Sequence, residues 1–156
     1  MIKTYKKRGG KKQGTRRMLS TSSQAFSAFQ KEVTIVFLET LLMIKLYHWK
    51  TYSYATHKAT DKAYSKLNTS MDSFIEILLG KSQIRTDLTN QKDIRLIDCK
   101  SQEDFIKGII SFKGFLISLD DNKLMKSTLM LNPDLYTIRD EILGDMNQLL
   151  YLLSFK

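Results

Sequence analysis

From Gln24 onward the chain carries its apolar residues at intervals of three and four. Phe26, Phe29, Val33, Phe37, Thr40, Ile44 and Tyr47 fall into one stripe, the spacing of a helix with a single buried face. This predicts a first helix over about residues 24–50. A second, over about 54–79, repeats the spacing with Ala59, Ala63, Leu67, Met71, Phe74 and Leu78, and Gly80 offers a stop. Residues 81–100 hold no sustained period and are dense in polar side chains, which marks a connection. A connection of that length is unusual in a compact domain unless it has to travel along the molecule. Ser101 followed by Asp104 has the form of a helix start, a capping hydroxyl with a carboxylate near the positive end of the dipole. Phe105, Ile109, Phe112, Leu116 and Leu119 then give a third helix over 102–119. Asn132 and Pro133 make another start signal, for a fourth helix with the stripe Leu135, Ile138, Ile142, Met146, Leu149 and Leu153. Short, long and moderate connections between four amphipathic helices predict an all-α four-helix bundle of ferritin-like topology over residues 24–156, with a long crossover between the second and third helices.

Composition refines this picture. One proline and seven glycines among 156 residues leave long windows unpunctuated, and a chain of this length suits one domain. Cys99 is the sole cysteine, so it has no partner for an internal disulfide or a cysteine-based zinc site, and a reducing compartment is expected. The formal charge of +9 is uneven, because Lys3, Lys6, Lys7, Arg8, Lys11, Lys12, Arg16 and Arg17 all lie within residues 1–17, which contain no acid. Such a block repels itself and has little to bury, so residues 1–23 are predicted to be a disordered basic tail. No continuous apolar stretch follows the charges, as a secretory signal requires; a mitochondrial presequence is the weaker alternative. The most apolar run, VTIVFLETLLMIKLYHW, is interrupted by Glu39 and Lys45 and is too short between them to cross a bilayer. A soluble protein with no membrane partner is expected, cytoplasmic or nucleoid-associated.

The candidate chemistry lies on the second helix. The stretch YHWKTYSYATHKATD, residues 47–61, holds both histidines and the only tryptophan. Around the helix axis at about 100° per residue, with Asp61 as zero, His57 falls near −40°, Asp72 near +20° and Glu76 near +60°. They share a stripe roughly 120–130° from the apolar one, so it does not face the bundle core. Along the axis, His57 and Asp61 are separated from Asp72 and Glu76 by about 16 Å. A second copy of this helix crossing antiparallel near Lys66 and Leu67 brings the histidine end of one chain level with the acidic end of the other. A two-fold homodimer then carries two equivalent sites. His48, across the short turn, joins the histidine end. Two imidazoles and three carboxylates suit ferrous iron, with manganese or zinc as alternatives. A carboxylate on a polar helix face is otherwise an ordinary solvated group, His48 alone an ordinary helix-end histidine, and Trp49 ordinary packing.

These residues resemble the Dps proteins, the mini-ferritins, over roughly residues 36–80. The matching positions are His48 in YHW, His57 and Asp61 in HKATD, and Asp72 and Glu76 in MDSFIE. The turn between the histidines is shorter here than in that family, and Lys50 stands where its HWN motif has asparagine. The resemblance implies a hollow twelve-subunit shell and an inter-subunit ferroxidase site. There His48, His57 and Asp61 of one subunit face Asp72 and Glu76 of its mate, Fe(II) is oxidised by peroxide or oxygen, and Fe(III) is stored. The chain also looks like Dps-like proteins of phages and large DNA viruses, which implies a virion or viral-factory location if it is virus-encoded. Lysine-rich arms in this family are associated with DNA, and the tail has the charge for sequence-independent phosphate contacts that weaken with salt; a shell multiplies such an arm. The alternatives for the tail are a solubilising extension or an address. For the whole chain they are a non-enzymatic DNA-packaging protein or a structural part of a virus particle.

Overall fold

The computed structural model describes residues 13–127 and 131–155, with side chains from residue 23 onward. The described chain is all helical: α1 (Gln13–Lys50), α2 (Tyr54–Ser82), α3 (Gln102–Ser118) followed by a 3₁₀ turn (Leu119–Asp121), and α4 (Pro133–Leu153). The predicted stripes are the buried faces with one exception: in α4 Ile138 is half-buried at the edge of the core, and Arg139 takes the buried place. Phe26, Phe29, Val33, Phe37, Thr40, Ile44 and Tyr47 of α1 are all buried, as are the six apolar positions predicted for α2. They meet Phe105, Ile109, Phe112 and Leu116 of α3 and Leu135, Ile142, Met146, Leu149 and Leu153 of α4 in one continuous core.

α1 packs on α2 and α3, and α4 packs on the same two, leaving α1/α4 and α2/α3 as diagonals. Neighbours run antiparallel. Tyr47 stacks on Phe105 with ring centroids 4.2 Å apart, while ten residues earlier Phe37 meets Phe112 edge-on at 6.2 Å. Lys66 pairs with Asp145 at 2.7 Å and Lys81 with Asp134 at 3.0 Å. Gln102 reaches the carbonyl of Leu153, and Arg139 that of Leu116. The α1–α2 turn, the start of α3 and the end of α4 therefore share one end of the bundle. The connection between α2 and α3 has no regular structure but touches α1 three times. Gln30 Nε2 donates to the Ile84 carbonyl at 3.2 Å, the Arg95 N–H donates to Glu39 at 3.1 Å, and Lys50 pairs with Asp98 at 2.7 Å. Those anchor points are spread over about 30 Å of helix.

Four expectations need correction. Residues 13–23, expected to belong to the tail, are helical: once a long helix is nucleated each added residue contributes a hydrogen bond, and Gln, Arg, Met and Leu are good helix formers. Residues 1–12, with Lys3, Lys6, Lys7, Arg8, Lys11 and Lys12, lie outside the described residues; Arg16 and Arg17 fall in the first turns of α1, ahead of the residues whose side chains are described. Gly80 does not stop α2. The helix runs to Ser82, and Gln83 takes the left-handed cap at φ 56°, its N–H donating to the Leu79 carbonyl. Asn132 stands at the N-cap of α4, which begins at Pro133 as predicted, but its side chain does not cap the helix; it donates instead to the carbonyls of Leu124 and Met125, holding the preceding loop. Trp49 is not core packing, being 68% exposed.

Candidate metal centre

His48 ends α1 and His57 opens α2, so a three-residue turn decides how they meet. Ser53 caps α2 by accepting the Thr56 N–H at 3.3 Å, and its own N–H donates to Thr51 Oγ1 at 3.2 Å. This closes the turn tightly. The two imidazoles stack, with centroids 3.9 Å apart and planes 24° from parallel. Each ring bonds the other residue's backbone: His48 Nδ1 lies 3.1 Å from the His57 carbonyl, and His57 Nδ1 lies 3.1 Å from the His48 carbonyl. A carbonyl only accepts, so both Nδ1 atoms carry the proton and donate. The lone pairs of the neutral rings are thereby left on Nε2, the arrangement in which a metal-binding histidine is oriented by a bond from its other nitrogen.

Thr60, fully buried one turn beyond His57, supports the pair from below. Its hydroxyl is 3.3 Å from His48 Nδ1 and within reach of the Thr56 and His57 carbonyls, at 2.8 and 3.0 Å. Sequence reasoning did not single out Thr60, although its place three residues after His57 puts it on the same side of α2.

Asp61 is brought to His48. Its Oδ1 is 4.0 Å from His48 Nε2, with the carboxylate about half exposed. That is too long for a hydrogen bond, yet within the roughly 4.2 Å that two ligands about 2.1 Å from one ion can span. Asp72 and Glu76 are not brought there. They lie three and four turns further along α2, exposed, with no hydrogen-bond or ion-pair partner among the described residues. Of the two cations between these groups, Lys62 and Lys66, Lys66 is turned away to Asp145 and Gln148 on α4. Among the described residues no three His, Cys, Asp or Glu side chains converge closely enough within one chain to hold a metal ion.

Beside Asp72 runs a groove of about 240 Å³ between α1 and α2, lined by Phe37, Leu38, Leu41, Met71 and Ile75. Leu38 and Leu42 stand out from α1 at 41% and 37% exposure. The sequence signal for this outer face is the excess of apolar residues in FLETLLMIKL, more than one helix stripe can absorb.

The family comparison covers the histidine pair and α2 but not the α1 side of the groove. No curated protein and no solved structure matches the chain. Residues 48–153 match the model of DUF5856, described as a family of unknown function. The match begins at His48 and takes in the turn, α2, α3 and α4. Because it spans most of the sequence, the chain belongs to the DUF5856 family.

Proposed function

We propose that this protein is a Dps-like, ferritin-like bundle that binds and oxidises Fe(II) between two subunits and sequesters Fe(III). The observation that carries the reading is the reciprocal bonding of the stacked histidines, which occupies both Nδ1 atoms and leaves the Nε2 lone pairs for a ligand, that of His48 4.0 Å from Asp61. Topology supports it: helices that are antiparallel to every neighbour, and a connection that follows α1 from Gln30 to Lys50, are the arrangement of a long crossover in a ferritin-like bundle. The unpaired Asp72 and Glu76 support it from the other side, because the apolar groove next to them gives a second copy a surface to bury.

In this reading His48, His57 and Asp61 of one subunit and Asp72 and Glu76 of its mate take up Fe(II), and the carboxylates favour the ferric product by offsetting its higher charge. Two Fe(II) ions surrender one electron each to hydrogen peroxide, which takes two protons and leaves as two waters. Oxygen is the alternative oxidant, and manganese or zinc the alternative metals. The basic tail adds non-specific DNA binding through Lys3, Lys6, Lys7, Arg8, Lys11, Lys12, Arg16 and Arg17.

Anaerobic addition of Fe(II) followed by peroxide tests the site. Ferric absorbance is expected to grow with the wild type and to fall to the protein-free rate in the His57→Ala, Glu76→Ala double variant; equal growth in both sinks the proposal. A second reading, a non-enzymatic DNA-packaging or virion-associated structural protein on the same bundle, is favoured by the failure of three ligands to converge within one described chain. It predicts no bound transition metal in a purified oligomer and unchanged DNA retention in the double variant.

A further inference from the structure

Five aromatic side chains are exposed among the described residues: Trp49, Tyr52, Tyr54, Tyr151 and Phe155. All five lie at one end of the bundle, in and around the α1–α2 turn and at the end of α4. Single exposed apolar residues are ordinary, but rings gathered in one place mark a contact surface. Tyr52 has no cover at all, and Trp49 and Tyr54 are 68% and 75% exposed. Cations hold them from the side. Lys45 Nζ lies 5.7 Å from the Trp49 ring centroid and Lys58 Nζ 5.8 Å from that of Tyr54, within cation–π reach. Residues 45–62 carry four lysines against the single carboxylate of Asp61; Lys50 is paired with Asp98, leaving Lys45, Lys58 and Lys62 around the rings.

We infer that this end of the bundle binds single-stranded nucleic acid, with bases stacking on Tyr52, Tyr54 and Trp49 and the flanking lysines meeting the phosphates. Three occupants compete for an aromatic surface. Protein interfaces enrich Tyr and Trp but deplete Lys; a membrane-seated element presents a broad apolar helix face, whereas here the rings stand around a short turn and Leu152 is the one exposed aliphatic side chain beside them among the described residues. A single strand requires both of the features seen here, π-faces for any base and a cationic border for its backbone. The surface is made of residues other than the eight tail cations, and it does not depend on metal at the histidines.

Trp49 is the only tryptophan, so its fluorescence reports on this surface in the intact protein. Titration with a short oligothymidylate is expected to quench Trp49 emission, while a duplex of the same length leaves it unchanged. The Tyr52→Ala, Tyr54→Ala double variant should bind the single strand about tenfold more weakly, and the corresponding double Phe variant, which keeps both π-faces, should bind as the wild type does. Circular dichroism checks that both variants keep their helices. Absence of quenching, equal quenching by duplex, or equal affinity in the Ala variant overturns the inference. So does an Ala variant that changes the sedimenting species, which would make the surface a contact between copies, or Trp49 emission that responds to phosphatidylserine vesicles and not to the oligonucleotide.

Discussion

Arg139 occupies a place in α4 between Leu135 and Ile142 where the stripe admits a large side chain, and it is 7% exposed. Its charge is met at the end of α3, where one N–H donates to the Leu116 carbonyl at 3.1 Å and the guanidinium pairs with Asp120 at 3.0 Å. Tyr136 lies against it, 5.2 Å from ring centroid to guanidinium carbon. A cation at the negative end of a helix dipole is favourable there. Truncation in Arg139→Ala leaves a carbonyl unpaired and a void, and should lower stability by about 2–3 kcal/mol in urea denaturation. Arg139→Met, which refills the volume without charge, should recover most of the loss. Cys99 shows the opposite economy. Burial, and secondarily the carboxylates of Asp104 and Asp98, push its thiol up from the usual range. Native protein should therefore be inert to a disulfide reagent at neutral pH and react with one equivalent on unfolding. The buried apolar positions were legible at this scale, because spacing alone identifies them. Arg139, Thr60 and Gln30 were not, because a polar residue on a buried stripe is explained only by a partner from another helix, and spacing within one helix carries no record of it.

At the scale of the element, α2 places its glycine and its left-handed residue three positions apart. Gly80 sits in the helix with nothing near its vacant Cβ position, whereas Gln83 bears the positive φ. Gly80→Ala and Gln83→Gly should each raise stability by about 0.5–1 kcal/mol, one by helix propensity and the other by relieving the left-handed backbone. Gly108 in α3 differs, since a Cβ there runs into the sulfur of buried Met43 on α1. Gly108→Ala should forfeit the propensity gain and lower the urea midpoint. Helix number and faces followed from period, yet two of the ends did not, because an end is set by which carbonyls and N–H groups find partners rather than by the residue types usually found there. The same holds for the candidate site. His48, His57 and Asp61 could be grouped from their spacing, but the stacking of the rings depends on the conformation of the three residues between α1 and α2.

For the molecule as a whole, pairing of two chains is the expectation with the widest consequences. Leu38→Lys with Leu42→Lys places two charges on the outer face of α1 without touching His48, His57, Asp61, Asp72 or Glu76, so sedimentation of this variant should show a smaller species, and ferric formation should fall with it. A variant that sediments as the wild type and oxidises Fe(II) at the same rate removes this face from the proposed assembly. Among the described residues no helix is long and apolar enough to cross a membrane. Replacing the eight tail cations by Gln should weaken duplex binding and flatten its salt dependence, the log–log slope shrinking by about 0.9 for each phosphate that the tail no longer neutralises.

The alternation of chain direction around the bundle has an electrostatic result. Since every helix lies beside two of opposite sense, the positive and negative termini interleave at both poles and their fields largely cancel along the long axis. An approaching anion or cation is therefore steered by side chains alone, and a few substitutions in one turn suffice to change which kind of visitor each pole attracts.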